Sequence, residues 1–393
     1  MTETYVYKNQ QKLRCGYTTG TCAAGAVKAA LQMLLGGKVV EHVSVTAPKG
    51  TVLELQVQEQ QLGEKVSCAI RKDSGDDADV TNGIRIYATV WKADGEEQDC
   101  SGGLRERRNR WENQVWIQGG VGIGRVTKPG LNQPIGNAAI NSVPREMITK
   151  VALSILEQYG YEGSIHVLIS APEGVEIAKR TFNPRLGIEG GISILGTSGI
   201  VEPMSEQALV ETIRVEMRQK LSQGMTHLLV VPGNYGEQFL RDTLQIDVEK
   251  AIKCSNFVGE TIDMAYEYKA DSMLLVGHIG KFVKLGAGIM NTHSRVADGR
   301  MEVLASCAIL AGVRTEAVKE ILNCLNTDEA IAILIREQML ETAMDILMKK
   351  IYYYIENRAY TGMTIGAVTF SRQYGLLGMT EYAKEMLDRL RGV

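Results

Sequence analysis

The chain has 393 residues, 45% apolar and 23% charged, the balance of an ordinary globular protein and not of a disordered, collagen-like or membrane chain. Basic residues number 43 against 46 acidic ones, and a net charge of −3 creates no global field for nucleic acid or an anionic membrane, so a polyanionic ligand has to be gripped locally. Seven cysteines at positions 15, 22, 68, 100, 254, 307 and 324 form no CxxC pair, and five histidines form no HExxH, which argues against a disulfide framework, a zinc ribbon and a protein-bound metal.

In chain order, the polar start lacks the apolar core of a secretory signal, and no run reaches the ~18 apolar residues of a membrane span, so a cytoplasmic chain is expected. Residues 23–35, AAGAVKAALQMLL, predict a helix that stops at Gly36 and Gly37. From Val39 to Trp91 the apolar period becomes two, with turn signals at 48–50 and 63: an antiparallel sheet with one wet face. Residues 93–110 are polar and crowded with charge, hence an exposed loop. Pro144 suits the first turn of a helix running to about Tyr159, and IHVLIS (165–170) reads as a buried strand.

A second architecture is expected from there. ISILG (192–196), HLLVVPG (227–233) and SMLLVGH (272–278) alternate with helical segments, which predicts a parallel sheet with helices on both faces. Residues 296–356 are helical in pattern, and the chain ends in an amphipathic helix. The expected fold is therefore α/β plus α+β: an antiparallel-sheet domain over 1–143, a parallel-sheet domain over 144–295, and a mainly helical region over 296–393.

Five motifs carry candidate chemistry. Gly16–Cys22 puts three threonine hydroxyls before a helix, where backbone N–H groups and the helix dipole favour an anion; capping by Thr19 or Thr21 alone would need only one hydroxyl. The segment 72–83 holds four aspartates in seven residues, without EF-hand spacing, and reads equally as an acidic turn. Gly119–Arg125 has GxGxxG-like spacing but no following helix, because Pro129 and Pro134 intervene. Gly-rich turns end the three expected parallel strands at 196–199, 233–236 and 277–281, where such sheets bind ligands; tight connections without a ligand are the plain alternative. Finally, 277–300 concentrates two His, two Lys, two Arg, an Asn and an Asp on a glycine-bearing scaffold.

On the runs LRCGYTTGTCAAGAVKAA (13–30), KDSGDDADVTNG (72–83), KPGL (128–131), PREMI (144–148), ILGTSGIVEPMSEQA (194–208) and GHIGKFVKLGAGIMNTHS (277–294), the chain closely resembles the CbiD family. Those proteins are cobalt-precorrin-5B C-1-methyltransferases of anaerobic cobalamin biosynthesis. The resemblance implies S-adenosylmethionine-dependent methylation of C-1 of a corrin ring to give cobalt-precorrin-6A, with cobalt arriving only inside the substrate. It supplies no catalytic residue.

The chemistry suits a chain with no nucleophile–base pair, because the ring carbon is an enamine-like nucleophile and the sulfonium an activated leaving group, so positioning dominates. The methyl donor is expected at Gly196, Thr197, Ser198 and Gly199 and at Gly233, Asn234 and Gly236. Substrate carboxylates are expected at Arg14, Thr18, Thr19, Thr21, Arg125, Lys128, Lys284, Arg295 and Arg300. His278, His293 and Lys281 are the catalytic candidates, an imidazole being able to accept a proton near neutral pH. Partners are expected to be the corrinoid, with room for self-association or transient contact with neighbouring pathway enzymes, and neither nucleic acid nor membrane. Two other classes stay open: an enzyme using a nucleotide or phosphate ester, which would bind ATP and not S-adenosylmethionine, and a tetrapyrrole carrier, which would bind corrinoid without turnover.

Overall fold

The computed structural model describes residues 4–8, 10–93, 115–184, 186–360 and 362–391, which form two compact units, 1–205 and 206–393. Most of the charged segment read as an exposed loop lies outside the described residues.

The first unit is built on a six-stranded sheet in the order His42–Thr46, Val52–Gln61, Val66–Arg71, Arg85–Lys92, Ile165–Ser170, Val115–Gly119. Its neighbours are antiparallel except the last pair, which is parallel. Strict alternation in 85–92 puts Ile86, Ala88 and Val90 on one face. The helices Thr19–Gly36 and Ser142–Gln158 cover that face and bury Ala23, Val27, Leu31, Ile148 and Leu156 against it. Small residues on the first helix let it approach the sheet closely, and it ends as expected, on Gly37 in the left-handed region at φ +67°.

The second unit is a five-stranded sheet in the order Ala251–Lys253, His227–Val231, Ser272–His278, Thr364–Ser371, Gly375–Met379. The first four strands are parallel and the last is antiparallel. Period two divides the apolar strands between two cores. Leu228, Val230, Met273 and Leu275 face Ile213, Met217, Ile262 and the helices of 300–359. Leu229, Val231, Leu274 and Val276 face Phe239, Leu244 and the C-terminal helix Ala383–Arg391. Both sheet faces are covered, as the alternation of strand and helix predicts. Among the described residues no helix is long and apolar enough to cross a membrane.

The expected boundaries at 143/144 and 295/296 are replaced by one at 205/206. The 165–170 strand pairs with 85–92, so it and the 142–158 helix close the first sheet instead of opening a second. Of ISILG only Ile192 is in a strand, Gly191–Ile192, and that pairs with Gly122–Ile123 inside the first unit. The 296–393 region is not a separate helical body, because the 364–371 strand runs inside the second sheet, parallel to 272–278.

Candidate functional site

In the second sheet the chain leaves the 227–231 strand toward one edge, through 251–253, and returns on its other side as 272–278. The adjacent carboxyl ends of 227–231 and 272–278 therefore form the switch point where parallel sheets open a crevice. Gly233, Asn234, Tyr235 and Gly236 follow the first of these strands, and His278 and Lys281 stand at and just beyond the end of the second. Two glycines here serve packing: a Cβ on Gly236 would meet Val231 at 2.8 Å, and one on Gly277 would enter the Phe282 ring at 2.2 Å. Gly233 differs, since a Cβ there meets nothing within 4 Å, which leaves its face open to a ligand.

His278 is half-buried and caps the short helix Ile279–Phe282, its Nδ1 accepting the Gly280 N–H at 3.1 Å. Its ring lies edge-on to Phe370 at 5.6 Å and tilted to Tyr235 at 5.9 Å. Burial pushes its pKa down, with Asp328 opposing and Arg372 reinforcing the shift. A backbone N–H can only donate, so Nδ1 carries the lone pair and the neutral ring keeps its proton on Nε2. His293 repeats the pattern on an exposed turn, its Nδ1 accepting the Arg295 N–H at 3.1 Å. Both imidazoles thus present a donor, which counts against the expected role of proton acceptor.

Lys281 is half-buried, and its Nζ donates to the Pro232 carbonyl at 3.1 Å and the Ser255 carbonyl at 3.4 Å, the loops after the 227–231 and 251–253 strands. Burial lowers its pKa, with Cys254 opposing and Lys284 adding to the fall. The 254–257 loop in turn receives the Thr292 N–H at the Asn256 carbonyl, 2.9 Å. Segment 291–293 is thereby tied to the same edge of the sheet.

Several expected cations are already engaged. Lys284 is buried and donates to the Thr292 and Ala297 carbonyls at 3.2 and 2.8 Å, so it pins its own loop. Arg300 forks onto Asp298 at 2.7 and 3.0 Å. Arg14 forks onto Asp73 at 2.5 and 2.8 Å. Arg295 is exposed beside His293, while Arg125 and Lys128 are exposed on the first unit, Arg125 donating to the Gly136 carbonyl at 3.0 Å. The aspartates of 72–83 are likewise spent on the protein: Asp76 accepts the Arg14 N–H, Asp77 the Met204 N–H and Asp79 the Lys72 ammonium. That loop is an internal clasp. Among the described residues no group of three or more His, Cys, Asp or Glu is placed to hold a metal.

The threonine turn and the 196–199 turn meet each other, within the first unit. Thr18 caps the 19–36 helix, Thr19 Oγ1 accepts the Leu195 N–H at 2.9 Å, and Thr21 Oγ1 donates to the Gly199 carbonyl at 2.7 Å. All three threonines are buried. A Cβ on Gly196 would lie 2.3 Å from Thr18 Oγ1, so glycine is required by the latch itself. The hydroxyls exceed the need of a cap because those of Thr19 and Thr21 hold a loop some 175 residues away. Thr197 is exposed and Ser198 turns its hydroxyl to the Ile200 carbonyl; no strand of the parallel sheet precedes them, which removes the ground for a donor site at Gly196, Thr197, Ser198 and Gly199. Thr19→Val is expected to leave the Leu195 N–H unpaired and cost about 1–3 kcal/mol. Melting temperature should fall while ligand affinity, measured by calorimetry on the folded variant, stays unchanged. Gly119–Arg125 is also packing: a Cβ on Gly122 would lie 1.7 Å from the Ala171 carbonyl oxygen.

Sequence reasoning missed Arg372 and Asp328. Arg372 follows the 364–371 strand and lies over the Tyr235 ring at 5.0 Å; Asp328 accepts the Ser371 hydroxyl at 2.8 Å. The signal was the apolar run TIGAVTF (364–370), which marks a further strand end at this edge.

Residues 6–203 match the CbiD family and residues 291–381 match the family described as CbiD, C-terminal domain. A cobalt-precorrin-5B C(1)-methyltransferase of Ruminiclostridium cellulolyticum is 47% identical over 99% of this chain and 94% of its own length. Proteins of the same name from Alkaliphilus metalliredigens (41% identity; 99% of this chain, 98% of its own) and Clostridioides difficile (37%; 98% and 99%) match as fully. A solved structure described as cobalamin biosynthesis protein (cbiD) from Archaeoglobus fulgidus aligns with a TM-score of 0.39 at 28% identity, covering 74% of this chain and 86% of that one.

Proposed function

This chain belongs to the CbiD family, and we propose from that premise that it is a cobalt-precorrin-5B C(1)-methyltransferase whose methyl donor, S-adenosylmethionine, binds at the strand-end crevice of the second unit. The observation that carries the site is the open face of Gly233 at the switch point, flanked by His278 and Lys281. The donor supplies an activated methyl group on sulfur, and the corrin carbon supplies the electrons, so the protein's task is alignment. Cobalt belongs to the substrate.

The residues divide that task. Gly233 lets backbone come close to the ligand, and Lys281 fixes the loops after two neighbouring strands relative to a third. His278, neutral, offers its Nε2 proton as a donor and orients a carboxylate or ring substituent without adding charge. Arg295 and His293, exposed on a turn tied to the same edge, are suited to a peripheral acetate or propionate of the macrocycle.

Hydrogen exchange tests the placement without altering the chain. S-adenosylhomocysteine should protect the amides of 232–236 and 278–281 and leave 196–199 unchanged. Protection confined to 196–199 would move the donor to the first unit and overturn this assignment.

A further inference from the structure

Beside the crevice lies an open cleft of about 240 Å³. Beneath it Phe239 and Phe370 stack at 4.0 Å and 2°, both rings buried. Tyr235 and Arg372 line it, the guanidinium 5.0 Å over the ring, and so do Asp242 and Thr243. Tyr235 and Phe370 are also the two rings that touch His278, so the cleft is continuous with the strand-end site.

The cleft is smaller than the roughly 300–1,000 Å³ of sites that enclose a whole small molecule, so it suits one end of a ligand. Its charges are of opposite sign. Arg372 is exposed and has no carboxylate partner among the described residues, although Tyr235 holds the guanidinium in place. Asp242 uses Oδ1 for a contact with the neighbouring Arg241 at 3.1 Å. A group that matches an arginine fork and a carboxylate together is an α-amino acid, with its carboxylate on the fork and its ammonium on the aspartate.

We propose that this cleft receives the α-amino-acid end of the methyl donor, with Arg372 binding its carboxylate and Asp242 its ammonium. The inference rests on the donor occupying the strand-end crevice and adds which of its ends points where. Arg372 discriminates in favour of ligands that carry the amino-acid tail, and the Gly233 side of the crevice is left for the nucleoside.

Calorimetry with two ligands tests it. S-adenosylhomocysteine has the tail, and 5′-methylthioadenosine lacks it. Arg372→Met should weaken S-adenosylhomocysteine at least tenfold and leave 5′-methylthioadenosine within twofold, because a charge-assisted pair is lost only for the former. Asp242→Asn should act in the same direction more weakly, and Arg372→Lys should recover part of the affinity as a point charge. Both side chains are exposed, so folding should be unaffected, and melting temperature checks this. Equal weakening of both ligands, or no weakening of either, would overturn the proposal. If S-adenosylhomocysteine protects 232–236 from exchange but is indifferent to Arg372, only the orientation fails; if it leaves 232–236 unprotected, the donor site itself fails.

Discussion

Lys72→Met should lower stability by about 3 kcal/mol at pH 7, the low end of the cost of stripping a buried ion pair of one partner. The Lys72 side chain is 2% exposed, and its ammonium meets Asp79 at 2.6 Å and also Ser74. Asp79 is 26% exposed and further accepts the Thr81 N–H at 2.8 Å, which is why the low end applies. Burial pushes the Asp79 carboxyl up, but the charge and hydrogen bond of Lys72 together with the Thr81 hydrogen bonds outweigh it and hold the pKa below the ordinary value. A carboxyl with a depressed folded pKa contributes stability in full above its unfolded value near 4 and loses it as pH falls through the folded one. Without Lys72 only the burial penalty and the Thr81 bonds remain, so protonation comes at higher pH and relieves the variant. The difference in melting temperature between wild type and variant should therefore shrink from pH 7 to pH 4. Lys72→Met/Asp79→Asn should regain most of the loss, since the amide keeps an acceptor for Thr81 without a buried charge. A deficit that is the same at both pH values, and that the second substitution leaves in place, would show that packing of the lysine stem matters more than its charge.

The clasp around Lys72 marks where local sequence stops being informative. Alternation along 85–92 and the continuous apolar run at 227–231 were legible, because a strand buried on one face or on both declares itself in neighbouring residues. So was the 19–36 helix, with its small residues and terminal glycines. The density of hydroxyls in Thr18–Thr21 and of charges in 72–83 was a true signal of polar work, but the partners sit in the folded chain: Leu195, Gly199, Arg14 and Met204. No pattern around residue 20 announces a carbonyl near residue 199. Lys284 and Arg300 make the same point, since counting charge does not reveal that Ala297 and Asp298 already bind them. The domain boundary shifted because IHVLIS, apolar enough for a parallel core strand, lies between an antiparallel and a parallel neighbour in the first sheet. At the strand ends 233–236 and 277–281, by contrast, glycine, chain direction and sheet order point to one edge, and each of these needs only local sequence and strand order to be read.

At that edge the larger functional effect is expected from Lys281→Met. The ammonium joins its own short helix to two loops, the one carrying Pro232 and the one carrying Ser255. Methionine keeps the length and apolar stem but removes both donors, leaving two carbonyls without the charge that drew them together. Affinity for S-adenosylhomocysteine should fall tenfold or more, since each charge-assisted bond that shapes the crevice contributes roughly 1.5–3 kcal/mol and part of that is regained by water. Because Lys281 acts through the loops, amides of 232–236 and 254–257 should exchange faster in the ligand-free variant, and turnover at saturating donor should recover toward wild type. Burial lowers the Lys281 pKa, so the ammonium is lost at a lower pH than on an exposed lysine. Wild-type donor affinity should accordingly decline on the alkaline side before pH ~10.4, the ordinary lysine value, whereas the Lys281→Met profile should lack that decline. Turnover that stays depressed at saturating donor, with loop exchange unchanged, would assign the ammonium to the reacting centre itself. Unaltered affinity and an unaltered alkaline limb would show that the two loops hold their geometry without it.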